Sequence, residues 1–164
     1  MDIITTDSLE IRHFIEADTA EYVDIMTNPT VTKYLGTGRD LTEEDVKKAL
    51  SYYKALWNKG YGIFAVKEKT SGKIIGHCGI QPISDGRIEI LFAYAPDAWG
   101  KGYATEAGKA VLAYAKEHFE VKEINAMSYP QNMASIAVIN KLGFKGIGQE
   151  EHFGILLEVY ALVL

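Results

Sequence analysis

The chain has one cysteine, Cys78, among its 164 residues, so no internal disulfide can form, and a reducing, cytoplasmic setting is expected. It also lacks an excess of positive charge, with 17 Lys and Arg against 22 Asp and Glu and a net charge of −5. No run of five or six like charges occurs. Phosphate affinity comes from clustered basic residues, so nucleic acid is not the expected partner, and cationic substrates are mildly favoured. The longest apolar stretch, Ile155 to Leu164, is broken by Glu158 and falls far short of the roughly 20 residues of a membrane span. Met1 to Asp7 shows no basic segment leading into an apolar one, so no secretory leader is expected. His13, His77 and His152 have no carboxylate or cysteine at ligand spacing, which argues against a metal site.

What is present is ordinary for a globular protein: 48% apolar and 24% charged residues. The length suits one domain over residues 1–164. No repeat, low-complexity tract or linker interrupts it. The spacing predicts a short extended segment in which Leu9, Ile11 and Phe14 flank Arg12 and His13, then a helix opened by Asp18 as N-cap and ended by Asn28-Pro29. Thr42 and Asp45 form a capping-box pattern ahead of a second helix with Val46, Ala49, Leu50, Tyr53 and Leu56 on one face. Tyr52, Tyr53 and Trp57 on this helix either line a substrate cleft or belong to the core. Tyr61 to Glu68, Lys73 to Ile80 and Arg87 to Ala95 read as a three-stranded meander. Cys78 lies in the second of these strands and reads as a small core residue rather than a nucleophile. A helix follows from Ala104 to about Phe119, with Glu106, Lys109, Lys116 and Glu117 towards solvent. Then come a strand at Glu123 to Ser128, a helix at Asn132 to Leu142, and two strands at Gly146 to His152 and Ile155 to Leu164.

Trp99-Gly100-Lys101-Gly102-Tyr103-Ala104-Thr105 joins the third strand of the meander to its helix. A helix start leaves backbone N–H groups unpaired and carries partial positive charge, and glycines there let an anion approach the backbone. The loop therefore reads as a cradle for a diphosphate, or as a plain Gly-rich turn. Gly100-Lys101 is followed by Gly102, not Ser or Thr, which excludes a Walker A loop. The preceding meander does not suit a dinucleotide βαβ unit.

These residues resemble the GNAT superfamily of N-acetyltransferases. Its loop, Gln/Arg-x-x-Gly-x-Gly/Ala, is matched by Gly102 and Ala104, while Trp99 replaces the usual Gln or Arg. Trp99 to Ala107 is similar to the loop of the branch containing RimJ and RimL. Asn132-Met133-Ala134-Ser135 and Lys141-Leu142-Gly143-Phe144 resemble a second family motif, and Leu9 to Arg12 and Ile75 to Gly79 look like the same branch. The resemblance implies an α/β (α+β) fold with a mixed, mostly antiparallel sheet of six to seven strands flanked by about four helices. It also implies acetyl-CoA as co-substrate, no metal, a primary amine as partner, and a monomer or homodimer.

Carried over residue by residue, the resemblance assigns cofactor contacts to Phe92, Ala93, Tyr94, Trp99, Gly100, Lys101, Gly102, Tyr103, Ala104, Thr105 and Asn132. A backbone N–H at Phe92, Ala93 or Tyr94 would face the acetyl carbonyl, where negative charge develops. Many members place a Tyr proton donor seven residues after the Asn. Here that position is Ile139, and Ser135 stands where the RimL-like branch has a Ser. Ser135 is the expected donor to the departing thiolate, unless its hydroxyl simply bonds its own helix backbone. Glu89 is the preferred base, with a surface ion pair as the alternative role, and Glu158 is the other candidate. The acceptor expected is a protein or peptide N-terminal α-amine. The rival readings are a polyamine or aminoglycoside acetyltransferase and a non-catalytic CoA-binding module. Retention of Gly102, Ala104, Asn132 and Ser135 together favours an active enzyme over the last of these.

Overall fold

Alternation of side chains along the central strands sends one set of apolar residues to each face of a sheet, and helices close both faces. The computed structural model describes residues 3–164. Strands β1 (Ile4–Thr5), β2 (Leu9–Arg12), β3 (Gly62–Glu68), β4 (Ile74–Pro82), β5 (Ile88–Tyr94), β6 (Glu123–Ser128), β7 (Lys145–His152) and β8 (Ile155–Val163) form one sheet in the order β1-β2-β3-β4-β5-β6-β8-β7. Every neighbouring pair is antiparallel except β5 and β6, which run parallel. This is the expected mixed, mostly antiparallel sheet. The strand absent from the sequence reading is β1, whose two residues are too few to show a period.

On one face pack α1 (Thr19–Met26), α2 (Pro29–Thr32) and α3 (Glu43–Trp57); on the other lie α4 (Tyr103–His118) and α5 (Met133–Lys141). Strand β3 shows the division, with Ile63 and Ala65 joining Tyr22, Val46, Tyr53 and Leu56, while Phe64 and Val66 join Val111, Ala115 and Ile124. Cys78 is wholly buried, and burial pushes its thiol up to about 12.

Local signals act largely as expected. The Thr42 hydroxyl accepts from the Asp45 N–H at 3.2 Å, and the Thr42 N–H donates to the Asp45 carboxylate at 2.9 Å, so Asp completes the box despite its short side chain. Asn28-Pro29 does more than stop α1: Asn28 accepts from the Thr30 N–H, and Pro29 opens the one-turn helix α2. Two expectations are corrected. Asp18 does not cap α1 with its side chain; its carboxylate accepts from Arg12 at 2.7 and 3.0 Å and from the Ile15 N–H at 2.9 Å, closing the turn ahead of the helix. Glu106 does not face solvent but accepts from the Thr6 hydroxyl at 2.6 Å and the Ser8 N–H at 2.8 Å. It ties α4 to the chain between β1 and β2, a long-range partnership that helical periodicity cannot show.

Helices α4 and α5 meet where Gly108 faces Leu142; a Cβ on Gly108 would lie 2.7 Å from a Leu142 methyl carbon. The close approach matters because both helices start at the cleft described below. Gly108→Val is expected to destabilise the fold by about 1–3 kcal/mol through overpacking. Adding Leu142→Ala should recover part of that loss, a non-additivity measurable by urea denaturation of the two single variants and the double variant.

Candidate active site

Parallel strands β5 and β6 share a single register pair, Glu89 with Asn125, and then diverge. On its other side β5 stays paired with β4 throughout. The Ala95 N–H, just beyond β5, donates to the Ile75 carbonyl at 2.8 Å. Antiparallel pairing alternates with period two, so Leu91 and Ala93 also turn their backbone groups to β4, while Phe92 and Tyr94 turn theirs into the gap beside β6. Of the three candidate carbonyl-facing residues, then, Phe92 and Tyr94 turn their backbone groups to the gap, and Ala93 is engaged with β4. The Tyr94 carbonyl is covered by Trp99, whose indole N–H donates to it at 2.8 Å. Trp99 thus stands at the rim of the gap, 51% exposed.

The loop after β5 delivers a helix start to the same place. Gly100 and Gly102 have φ of 74° and 79°, and a Cβ on either would meet nothing within 4 Å. Space in front of the backbone is open, and the left-handed conformation is what demands glycine. Gly102 is the N-cap of α4 and contributes no capping side chain, and the Glu106 N–H is the donor that reaches back to the Gly102 carbonyl. The N–H groups of Tyr103, Ala104 and Thr105 therefore have no helical acceptor and point out of the helix start. Lys101 adds a half-exposed ammonium. Its Nζ lies 3.8 Å from the Glu68 carboxylate, which also accepts from the Tyr103 hydroxyl at 2.6 Å and so moors the loop to β3.

Strand β6 ends in a matching way. Asn132 caps α5, its side-chain oxygen accepting from the Ser135 N–H at 3.3 Å. The Ser135 hydroxyl, partly buried, makes no hydrogen bond among the described residues, so the expected alternative of a bond to its own helix backbone is not the arrangement found. Ile139 is buried to 1% exposure in the core, consistent with its apolar character. Two helices thus start at the carboxyl ends of two diverging parallel strands, the place where open mixed sheets form binding crevices.

The two candidate bases fall on opposite faces. Glu89 shares the α3 face with Leu91 and Ala93, whereas Glu158, by alternation with Tyr160 and Leu162, lies on the face of α4 and α5. Glu89 is not in a surface ion pair: it is partly buried, accepts from the Gln81 amide at 2.9 Å, and burial raises its pKa. Burial raises the Tyr52 pKa, and the nearby Glu89 charge adds to the rise. Tyr53, by contrast, is core, hydrogen-bonded to Tyr22, which in turn meets His77 Nδ1 at 2.8 Å. His77 is buried, and burial lowers its pKa to about 4. Trp57 stacks on His13 at 3.7 Å in a small aromatic recess with Phe64 and Phe119, near the far end of α4 from the loop. Among the described residues no group of His, Cys, Asp or Glu side chains could hold a metal. Sequence reasoning missed Glu68, Gln81 and Tyr129, whose hydroxyl donates to the Gly36 carbonyl at 2.7 Å. Each acts across strands or loops distant in the chain, and no local pattern marks it.

A helix start with free N–H groups, beside parallel strands that diverge, suits an anionic ligand. A family described as "Acetyltransferase (GNAT) domain" matches residues 8–145. The Bacillus subtilis protein YkkB, described as uncharacterized, is 32% identical over 150 residues, covering 85% of this chain and 83% of its own. The crystal structure of a GNAT-family acetyltransferase from Bacillus anthracis superposes with a TM-score of 0.83 at 25% identity, over 99% of this chain and 98% of that one. RimL, a ribosomal L7/L12 alpha-N-protein acetyltransferase solved with coenzyme A, shares the fold with a TM-score of 0.85 at 17% identity, over 99% and 98% of the two chains. The chain belongs to the GNAT acetyltransferase family.

Gly60 provides a matched control for Gly102, since it has the same φ of 79° and equally open space but lies just beyond α3. Valine at either position should lower stability, because a β-branched residue resists that conformation. Only Gly102→Val should also weaken acetyl-CoA binding, by about tenfold or more, equivalent to about 1.4 kcal/mol in calorimetric titration.

Proposed function

We propose that this acetyltransferase acts on the α-amine of a protein or peptide N-terminus, with both substrates bound at once and the amine attacking directly. The observation that carries the reading is the single β5–β6 pair, with Glu89 at the point where the strands part and the two helix starts beyond their diverging ends. The residues present suit acetyl-CoA: Gly102 to Thr105 present backbone donors to a diphosphate, with Lys101 adjacent, and Phe92 and Tyr94 present main-chain groups to an extended, amide-bearing arm. Acetyl-CoA supplies the acyl thioester. Asn132 keeps its amide nitrogen for the same arm while its oxygen caps α5. Phe92 or Tyr94 donates its N–H to the carbonyl oxygen on which charge builds. The free Ser135 hydroxyl gives a proton to the leaving sulfur, directly or through water.

Glu89 takes the amine proton. An α-amine with pKa about 8 is already partly neutral near pH 7, whereas a lysine amine at about 10.4 needs far more help. A thiol-release assay offering N-terminal peptides, lysine peptides with blocked termini, spermidine and an aminoglycoside tests the acceptor class. The α-amine should win, and an advantage of about tenfold in kcat/KM for spermidine or the aminoglycoside would overturn the assignment.

Ser135→Ala is expected to lower kcat by about 10- to 1,000-fold with acetyl-CoA affinity little changed, as read by steady-state kinetics and calorimetry. For Glu89, burial raises the folded pKa above the unfolded one. The folded state then holds more protons between those two values, and stability falls as pH rises through that window. Glu89→Gln should therefore leave thermal stability at pH 7 equal or higher, with the gain fading at acid pH. The wild-type kcat/KM should rise through an ionisation above the ordinary carboxyl range, and the variant should lose that limb.

A further inference from the structure

A carboxylate that the mechanism above leaves unused sits on the loop ahead of α4. Glu68 is the last residue of β3, and the hairpin that follows fixes its backbone: its N–H donates to the Lys73 carbonyl at 2.9 Å, and its carbonyl accepts from the Gly72 N–H at 2.8 Å. The Tyr103 hydroxyl donates to its carboxylate at 2.6 Å and holds the carboxyl below its ordinary range, so Glu68 is charged at neutral pH. Lys101 Nζ stands 3.8 Å from the same carboxylate and 5.8 Å from the centre of the Tyr103 ring. The one ammonium of the loop is therefore drawn towards β3.

Mooring a loop does not require negative charge, since an amide oxygen would also accept from Tyr103. A carboxylate does something further. The partial positive charge of a helix start and an ammonium both attract a diphosphate, and an acid beside them opposes it. Glu106, in the first turn of α4, adds a second acid to the same helix start. The bond to Glu68 is the main cause of a raised Tyr103 pKa, and burial and the Glu106 charge add to it. Glu68 and Lys101 also line a cavity with Glu21, Asp24, Lys73 and Asp97, four acids against two lysines. The diphosphate cradle is thus set in net negative surroundings.

We infer that Glu68 is a positioning residue whose charge sets how readily coenzyme A leaves: it holds the loop from Lys101 to Tyr103 in shape and keeps Lys101 from gripping the diphosphate at full strength. Acetyl-CoA and coenzyme A carry the same phosphates, so the weakening is uniform for substrate and product, and it shortens the time that spent coenzyme A stays bound. The inference rests on the reading of Gly102 to Thr105 as the diphosphate cradle.

Glu68→Gln separates charge from tether, because it keeps an acceptor for the Tyr103 hydroxyl. In calorimetry at low salt the variant should bind coenzyme A about three- to tenfold more tightly than the wild type, with slower dissociation in stopped-flow displacement. The gap should close in about 1 M salt, where charges more than about 3 Å apart are screened. Pantetheine, which keeps the thiol arm and lacks every phosphate, should bind both proteins alike. Glu68→Ala, which loses charge and acceptor together, should bind coenzyme A less tightly than Glu68→Gln. Equal binding by these two variants would overturn the positioning role. A Glu68→Gln protein that binds coenzyme A no more tightly than the wild type would overturn the release role and leave the cradle reading intact. So would a gap that persists in high salt or appears equally with pantetheine, since charge would then not be its source. A wild-type protein that binds no coenzyme A at either salt would overturn the cradle reading, and this inference with it.

Discussion

Hydrogen bonding between β5 and β6 stops after one register pair, and the cleft follows from that interruption. A fully zipped sheet would consume the N–H and C=O groups of Phe92 and Tyr94. Here those groups face a gap, and the indole of Trp99 already covers the Tyr94 carbonyl. Backbone polar groups left without partners in a protein interior are expensive. Their survival in the splay is understandable where a ligand backbone can supply the missing partners. The same divergence separates the start of α4, with its unpaired N–H groups, from the start of α5, where Asn132 caps the Ser135 N–H.

That opening can persist because the rest of the sheet is locked. β4 pairs with β5 along its whole length on one side, and β8 holds β6 on the other. Two cores, one under α4 and α5 and one under α1 and α3, clamp the faces. Cross-links hold the loops that border the gap: Glu68 grips Lys101 and Tyr103, Tyr129 reaches Gly36, and Arg87 grips Glu150. None of these is a deeply buried charge pair, so their value lies in placing loops more than in adding stability.

Features encoded within a few residues were legible in the sequence. The Thr42–Asp45 box, the period-two alternation of β3 and β4, and the glycines ahead of α4 each state their backbone geometry locally. Asp18 and Glu106 were misread because each has the right chemistry for a local role and spends it on a distant partner instead. Alternation could have shown that Glu89 and Glu158 occupy opposite faces only once the strand pairing was known. For Ser135, composition could suggest a hydroxyl at a helix start. Only coordinates could tell whether that hydroxyl was already engaged.

Cys78 has a further consequence. Its sulfur is sealed inside the sheet, and with the thiol pushed up to about 12 almost none of it exists as the nucleophilic thiolate at neutral pH. The folded protein is therefore silent towards thiol reagents. A chromogenic thiol probe added during turnover would report coenzyme A alone, without a background from the enzyme. A cysteine introduced on the rim of the cleft would carry a fluorophore or spin label at a single address, with the native chain otherwise untouched.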